Sequence, residues 1–518
     1  MIFEKKFSFK ILMLILIVQS TFSQDSIDYS INASLLTETD QLIIKQKISF
    51  FIQNNSLNKI YLNDWANSYS STKSPLADRL VEEYTRSFYL SAKSKRGYSL
   101  ISNIYVNGSK TKWKRNETNL DIIEIDIDKP IKNGIVNIDL SYIVKLPSSK
   151  FTGYGKIKKQ EYFIENFFIT LSKFVDYKQI LYSNLDLEEV PINSSKFRIE
   201  LKIDKDLNVF SSLDLTNFNK ENGEVVYFFE SNKIKQAIFL IGNDDLNIKE
   251  FSLDEKLINI NIDLKNFKLE SQKKSLRNVF KFIESIDAIN QPSKIFITNE
   301  KYSKRPFYGL SIMPTFLNSF SRNFEFEIKM LSVYLQFLIK ENFNLDSRKD
   351  YWFESGLYYY LMQRYLKDKY PDKLILDEIL KQPILRFFLK GYKISSLKSD
   401  DLFLHFHEFM VRRNLHQEIT LPKNELTRYN EQIGNPSQGA LLFNYLIDSF
   451  KLNMNEFLLI IKKENLSGLK LVEEFKTFFK TANIENLDIY LNKRTSIDLF
   501  FEQINPVTDS IEFMVKEK

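Results

Sequence analysis

The three histidines are the residues best suited to acid–base or metal chemistry, since the chain of 518 residues contains no cysteine. His405 and His407 stand close together, and His416 follows. On a strand, the first two would face one side and could bind zinc with Glu408 or Asp401. The apolar residues around them recur at helical spacing, however, and on a helix the two rings diverge. We therefore interpret them as partly exposed helix histidines, because a closed zinc site needs more ligands.

A serine followed by a glycine, Ser355-Gly356, is the second group with potential chemistry. The residues around it lack the Gly-x-Ser-x-Gly pattern of a nucleophile elbow, and no histidine can be assigned as its base. Serine near the start of a helix usually caps that helix, which is our interpretation of Ser355. The neighbouring Trp352 and Tyr358 either pack in the core beside their helix or line a peptide-binding surface, since aromatic side chains bind at low entropic cost.

The overall composition is that of a folded protein. Hydrophobic residues make up 43% of the chain and charged residues 27%, which excludes a disordered or collagen-like protein. The formal net charge of +6 is too small for this length to indicate a nucleic acid partner. The absence of cysteine also excludes disulfides, thiolate metal ligands and a cysteine nucleophile.

The first residues have the pattern of an export signal. Three lysines accompany the unbroken apolar run 11–18, and Thr21 and Ser23 provide small residues near a cleavage site. Because the run is too short to span a bilayer, we predict a signal peptide over residues 1–23. No later segment is long and apolar enough to span one, so we expect no stable membrane span after cleavage. We predict a periplasmic or secreted protein, and the lack of disulfides favours a periplasm.

The first half of the chain has the patterning of antiparallel sheet. Apolar and polar residues alternate strictly in the segments 42–52, 123–127, 136–144 and 197–203. This period of two predicts half-buried strands, with one face of the sheet exposed to water. The pair Asn133-Gly134 separates two of these strands. Asn-Gly favours the positive φ angles of a tight hairpin, so we predict a hairpin there.

The period changes to that of helices in the second half. Apolar residues follow a helical stripe over 324–338, and the segments 352–369 and 439–450 have similar patterns. Pro371 stops the second of these helices, since proline cannot continue the hydrogen-bond ladder. A short strand is predicted at 295–297, ahead of a loop that contains Gly309.

We therefore predict an α+β multidomain protein. A β-rich domain over residues 24–247 follows the signal peptide, and a mainly helical domain with a small mixed sheet covers 248–518. The sequence shows no internal repeat and no low-complexity tract.

The order of three segments resembles the aminopeptidase N family of gluzincin zinc metallopeptidases, along nearly the whole mature chain. These segments are 308–314 (Tyr-Gly-Leu-Ser-Ile-Met-Pro), 352–357 (Trp-Phe-Glu-Ser-Gly-Leu) and 436–441 (Pro-Ser-Gln-Gly-Ala-Leu). They match in order the Gly-Ala-Met-Glu-Asn-like loop, the Trp-Leu-x-Glu-Gly segment and the Tyr-x-Lys-Gly segment of the family. The resemblance implies an N-terminal antiparallel β-saddle or sandwich domain followed by a thermolysin-like domain.

The family's zinc-binding residues are not conserved at the matching positions. Aligning Trp352 and Gly356 with the family pattern places Ser355 at the glutamate ligand. At the family's spacing, the first zinc histidine, the general-base glutamate and the second histidine fall on Ser332, Val333 and Gln336. If Glu354 is the ligand instead, these three positions become Leu331, Ser332 and Leu335. Neither alignment contains a histidine.

Two further catalytic positions have changed as well. The tyrosine that stabilises the transition state falls on Pro436, which has no hydroxyl, and the glutamate that holds the substrate's amine falls on or beside Pro314. Catalytic zinc needs about three protein ligands and a water, with a base to take the water's proton. The resemblance therefore implies a bacterial branch of the family in which the zinc site has degenerated.

We predict an exported aminopeptidase-like pseudoenzyme that binds a peptide or a partner protein in the former catalytic cleft and needs no cofactor. Met313, Trp352 and Tyr358 are the predicted peptide contacts, and an exposed strand edge would pair with the peptide backbone. Two alternatives stay open. In the first, the protein is an active zinc aminopeptidase with unconventional ligands, of which Glu354 is the one candidate. In the second, it is a structural component of the cell envelope.

Overall fold

The computed structural model describes residues 27–52, 56–82, 86–175, 178–186, 192–221, 223–243, 246, 248–262, 268–304, 320–389, 393–449, 452–480, 491, 499–507 and 510–517. The predicted signal peptide and Met313 lie outside these residues. Contacts divide the chain into two compact units, Met1–Leu264 with Pro292–Lys304, and Lys265–Gln291 with Arg305–Lys518. The domain boundary at 247 stays a prediction.

The first unit is built mainly from strands. In chain order they are β1 (Ile27–Leu36), β2 (Gln41–Ile52), β3 (Leu57–Asn63), β4 (Tyr98–Val106), β5 (Ser109–Lys110), β6 (Trp113–Arg115), β7 (Ile122–Ile131), β8 (Gly134–Lys145), β9 (Gly155–Lys158), β10 (Glu161–Glu165), β11 (Thr170–Leu171), β12 (Phe174–Val175), β13 (Lys178–Gln179), β14 (Ser195–Asp204), β15 (Asn208–Ser211), β16 (Asp214–Glu221), β17 (Glu224–Ile234), β18 (Ile238–Gly242), β19 (Ile248–Leu253), β20 (Lys256–Asn261) and β21 (Lys294–Thr298). A helix, α1 (Pro75–Glu82), and a 3₁₀ turn, Trp65–Tyr69, lie among them.

These strands form an eight-stranded sheet and several smaller ones, all open rather than closed. The spatial order of the large sheet is β16-β17-β14-β1-β2-β8-β4-β5, and two four-stranded sheets have the orders β15-β18-β10-β9 and β11-β3-β7-β6. Buried side chains from all three sheets make one continuous hydrophobic core. Two smaller sheets complete this unit: β12 pairs with β13, and β19, β20 and β21 form a three-stranded sheet.

The alternation of apolar residues correctly predicted the large strands. Along β2, inward side chains such as Ile44 and Ile48 are buried, whereas their neighbours Lys45 and Lys47 are exposed. The apolar residues of β14 are buried in the same alternating way. Period-two patterning arises because successive side chains of a strand point to opposite faces.

The predicted hairpin at Asn133-Gly134 is wrong. β7 pairs with β3 and β6, whereas β8 pairs with β2 and β4 in the large sheet. Gly134 has a positive φ of 117° but Asn133 does not, and a type I′ hairpin turn needs positive φ at both central residues. The pair therefore carries the chain from one sheet to another, where each strand finds partners distant in sequence.

Among the described strands, two pairings are parallel and the others are antiparallel. β1 runs parallel to β14 in the middle of the large sheet. In the small sheet, β20 pairs antiparallel with β19 and parallel with β21. The predicted strand at 295–297 and the predicted mixed sheet are thus present, and contacts group that sheet with the first unit.

The second unit is mainly helical. Its described helices of four or more residues are α2 (Leu269–Glu284), α4 (Arg322–Asn342), α5 (Tyr351–Lys369), α6 (Asp377–Leu380), α7 (Pro383–Leu389), α8 (Leu402–Arg412), α9 (Asn435–Asn444), α10 (Met454–Glu464) and α11 (Leu469–Lys480); α3 (Asn299–Lys304) belongs to the first unit. Two π-helical turns flank α9, at Asn430–Gly434 and Tyr445–Ser449, and a strand pair comprises β22 (Leu499–Val507) and β23 (Ser510–Glu517). The predicted α+β architecture is confirmed.

The helical stripes predicted from sequence face the core of this unit. Phe324, Ile328, Leu331, Leu335 and Leu338 are all at most 4% exposed on α4. Burying such a stripe provides most of a helix's stability, because isolated helices of this length are marginal in water. None of the helices within the described ranges is long and apolar enough to cross a membrane.

Candidate functional site

The site predicted from sequence lies where α4 and α5 face one another. Ser332, Gln336 and Lys340 follow each other at one-turn spacing on α4, so they form a row on one face of that helix. Glu354 and Tyr358 form a similar row on α5. We call these five residues the facing rows.

Hydrogen bonds and an ion pair connect the facing rows. The hydroxyl oxygens of Ser332 and Tyr358 are 2.5 Å apart, and the Gln336 amide donates to the Ser332 hydroxyl at 3.4 Å. Further along, Lys340 Nζ lies 3.9 Å from a carboxylate oxygen of Glu354. The rows run in opposite directions, since the early residue of α4 contacts the late residue of α5.

The contacts bring together residues from both sequence alignments. Ser332 and Gln336, from the first alignment, lie on the face of α4 that is opposite Glu354, from the second alignment. Ser355 is not part of this group. Ser355 is 5% exposed, and its hydroxyl approaches the side-chain oxygen of Asn435 at the start of α9, at 3.4 Å. Ser355 therefore contacts α9 instead of α4.

Two other positions that the resemblance marks as catalytic, 333 and 436, are occupied by core residues. Val333 is 7% exposed and offers only an apolar side chain at the position of the general base. Pro436 is buried in the first turn of α9, where proline is favoured because its missing N–H needs no helical partner. Neither side chain can move a proton.

Trp352 lies in the helical core and not on a surface. It is 1% exposed, and its ring packs edge-on against Phe475 with centroids 5.1 Å apart. Among the residues that the structure describes, no acceptor is hydrogen-bonded to its indole N–H. We therefore leave Trp352 out of the proposed peptide contacts, while the partly exposed Tyr358 remains among them.

Close contact between two glycines explains part of the motif pattern. A Cβ added at Gly439 would lie 2.7 Å from the Cα of Gly356, closer than side-chain carbons approach in real structures. The backbones of α5 and α9 therefore pack directly against each other at this point. The glycines in Trp-x-x-x-Gly and Gly-Ala-Leu are thus required by helix packing, whatever the chemistry of the site.

Sequence reasoning missed two buried carboxylates that support these helices. Glu327, on α4, is 3% exposed and accepts hydrogen bonds from Tyr365, Tyr370 and Asn278. Its position inside the apolar stripe of α4 was the available signal, since a buried charge needs partners. The donors come from α2, α5 and the residue after α5, so the network holds three parts of the unit together.

Asp350 is the second buried carboxylate, and it organises the loop before α5. It is 1% exposed and accepts from the backbone N–H groups of Asp346, at 2.6 Å, and Gly468, at 2.8 Å. Gly468 immediately precedes α11, so Asp350 ties the starts of two helices together. No short-range pattern indicates this contact, because its partner is more than a hundred residues away.

The histidines behave as predicted from their helical spacing. His405 and His407 lie on α8 and are partly exposed. Burial lowers the pKa of His407, and the nearby His416 acts in the same direction. Within the described ranges, no three His, Cys, Asp or Glu side chains are grouped as metal ligands would be.

The donor set in the facing rows does not fit a catalytic zinc ion. The Ser332 hydroxyl is engaged by Tyr358, and hydroxyl and amide oxygens are poor substitutes for imidazole at zinc. The single carboxylate, Glu354, already has Lys340 as a cationic neighbour. A zinc ion there would meet a lysine charge of its own sign.

No known protein family and no curated protein matches this chain by sequence. Solved structures do resemble it. A mutant M1 zinc metallopeptidase from Deinococcus radiodurans aligns with a TM-score of 0.52 and 12% identity, over 92% of this chain and 95% of that one. The same enzyme bound to a Tyr-Ser-Ala substrate gives 0.51 and 12%, over 92% and 95%. Yeast LTA4 hydrolase in complex with bestatin gives 0.51 and 11%, over 92% and 69%.

The chain therefore has the fold of the M1 zinc metallopeptidases, with a mainly β N-terminal part and a helical C-terminal part. At 10 to 12% identity, this likeness concerns the fold. It confirms the predicted architecture. The chemistry of the site depends on the residues that this chain has there.

Proposed function

We propose that this protein is an exported, aminopeptidase-like pseudoenzyme that binds an extended peptide, or a segment of a partner protein, beside the facing rows and does not hydrolyse it. The fold likeness to M1 metallopeptidases makes this region of the fold the natural candidate for peptide binding. The proposal includes a bacterial branch that has lost zinc and a location in the periplasm or outside the cell. Export rests on the basic and apolar start of the sequence.

The observation that carries the proposal is a connected set of polar side chains at and beside the positions where the resemblance leads one to expect zinc ligands. Ser332, Gln336 and Tyr358 form a hydrogen-bonded chain, and Lys340 stands beside Glu354. Gln336 and Tyr358 are partly exposed, and an amide can both donate to and accept from a peptide backbone. These groups are suited to hold a peptide, and they include no imidazole to bind a zinc ion.

Metal content and hydrolysis separate the pseudoenzyme from an active zinc aminopeptidase. We expect the purified mature protein to contain no stoichiometric zinc by mass spectrometry, and to release no aniline from aminoacyl-anilides when zinc is added. One zinc per chain, together with hydrolysis that is lost in Glu354→Ala, would establish the enzyme instead.

Peptide binding separates the pseudoenzyme from a structural envelope component. A synthetic pool of hexapeptides is passed over the immobilised protein, and retained peptides are identified by mass spectrometry. We expect retention to fall in Gln336→Ala and to persist in Asn323→Ala, which changes an exposed residue at the start of the same helix. Failure of the unaltered protein to retain any peptide, or equal retention by both variants, would contradict binding at the facing rows.

A further inference from the structure

A cationic segment lies between α1 and β4 in the first unit. Residues 86–96 carry four cationic side chains and no acidic one; the four are Arg86, Lys93, Lys95 and Arg96. The first three of them are exposed. Within the described ranges, no carboxylate is ion-paired with any of the four. We call residues 86–96 the basic loop, and its charge makes it a candidate contact for an anionic partner.

The surroundings of the basic loop leave it positive. Glu82 and Glu83 precede it in the sequence; counted with the loop, they leave a net charge of +2 from four cationic and two acidic side chains. On the other side, the backbone N–H of Ser148 donates to the carbonyl oxygen of Lys95 at 2.9 Å. The exposed Lys150 follows in the same segment, so this neighbour adds a further positive charge.

Two adjacent side chains of the basic loop are apolar and exposed. Tyr89 is 58% exposed and Leu90 is 75% exposed. The turn that carries them is held by a hydrogen bond from the Leu90 N–H to the Arg86 carbonyl oxygen, at 3.0 Å. Phe88, just before them, is buried, and its ring meets that of Phe151 edge-on at 5.0 Å. An anchored turn therefore presents an apolar tip between cationic side chains.

The combination of an apolar tip with cationic side chains selects one class of partner. Cationic side chains alone would suit any polyanion. A soluble polyanion offers Leu90 no apolar phase, whereas a bilayer has anionic headgroups directly above its hydrocarbon layer. Tyrosine is also favoured at the level of the headgroups, since its ring is apolar and its hydroxyl is polar. The chemistry of the loop therefore matches a lipid surface.

We propose that the basic loop binds the surface of an anionic phospholipid bilayer. Tyr89 and Leu90 enter the headgroup region, and Arg86, Lys93 and Lys95 contact the lipid phosphates. The contact is peripheral and reversible, because one short loop buries far less apolar area than a membrane-spanning helix. It is independent of peptide binding, since the basic loop belongs to the first unit and the facing rows belong to the second.

Sedimentation with vesicles tests the choice of partner. The mature chain is mixed with vesicles of phosphatidylglycerol and phosphatidylethanolamine, or of phosphatidylcholine and phosphatidylethanolamine, and the bound fraction is measured after centrifugation. We expect partitioning about tenfold or more stronger onto the anionic vesicles, and a decrease when salt is added. No sedimentation with the anionic vesicles, or equal sedimentation with both, would overturn the proposal.

Two double variants locate the contact. Tyr89→Ser with Leu90→Ser removes the apolar tip, and Lys93→Gln with Lys95→Gln removes two charges. Each should lower partitioning onto the anionic vesicles by about tenfold. Unchanged binding after loss of the tip would show a purely electrostatic contact, such as any polyanion makes, and would refute insertion. Unchanged binding after loss of the two lysines would place the contact elsewhere.

Matched controls come from the opposite end of β8. Lys145 at one end pairs with Tyr98, which begins just after the basic loop, whereas Ile135 lies at the other end and is 65% exposed. Ile135→Ser, and the double variant Lys129→Gln with Lys132→Gln, change exposed residues near that far end. We expect both controls to bind the anionic vesicles like the unaltered chain. Equal losses in the controls and in the loop variants would contradict a contact at the basic loop.

Discussion

At the scale of single residues, Asp121 gives the first unit a pH-dependent stability. Its carboxylate is 1% exposed and accepts from the Ser183 hydroxyl at 2.6 Å and the Asn184 N–H at 2.7 Å. Burial nevertheless raises the pKa of Asp121 from 3.8 to about 6, and the two hydrogen bonds only partly oppose this. The folded state therefore favours the neutral, protonated carboxyl. In the unfolded chain the same carboxyl loses its proton at a lower pH.

Replacing Asp121 with asparagine tests this pH dependence. The stabilising contribution of a raised carboxyl pKa is complete below about pH 4 and is lost as the pH rises through 6. We expect the unfolding free energy of the natural protein, relative to Asp121→Asn, to fall by about 3 kcal/mol between pH 4 and 7. Urea unfolding at several pH values measures it. The exposed Asp139 provides the control, Asp139→Asn, and a constant difference across the pH range would contradict the assignment.

At the scale of elements, the pairing of α4 with α5 sets the geometry of the site. One-turn spacing places Ser332 and Gln336 on one face of α4, as the two histidines of His-x-x-x-His metal motifs are placed on theirs. Glu354 lies one turn from Tyr358, which contacts Ser332 across the helix pair. The pairing of these helices thus brings the two positions on α4 close to α5.

Introducing two histidines on α4 should create a metal-binding site. We expect the variant Ser332→His with Gln336→His to bind one zinc, with an affinity on the order of 100-fold above that of Ser332→His alone, because two imidazoles and Glu354 supply three ligands. Competition with a chelating dye measures the affinity. Adding Glu354→Gln should lower it again. Equal zinc affinity in the single and double histidine variants would show that the facing rows do not converge as described.

At the scale of the whole molecule, the large sheet joins parts of the chain that are far apart in sequence. The first described strand, β1, pairs with β2 on one side and with β14, which begins at Ser195, on the other. β17 then extends the sheet beyond β14. Such distant pairing requires closure of long loops before contacts form, which slows folding.

Truncation tests this dependence on late strands. We expect the fragment 27–186, which lacks β14 to β18, to be digested quickly by a protease, and the fragment 27–262 to resist it. The reason is that β1 keeps an unpaired edge in the shorter fragment, and the core loses the inward side chains of β14 and β18. Limited proteolysis of both fragments makes the measurement. Equal protection of the two would show that the sheet forms without β14.

Local periodicity in the sequence predicted the elements but not their partners. The apolar alternation of β2 and the stripe of α4 repeat within a few residues, so they could be recognised directly. Periodicity could not predict the change of sheet at Asn133-Gly134 or the parallel pairing of β1, because both depend on strands that are distant along the chain. Of the facing rows, the family resemblance pointed to Ser332, Gln336 and Glu354, while Lys340 was found only from the structure.

The positive charge next to Glu354 belongs to a lysine side chain and is therefore part of the polypeptide. A chelator cannot extract it, a competing metal cannot displace it, and no supply of trace elements is needed to maintain it. Metal starvation would therefore leave this ion pair as it is.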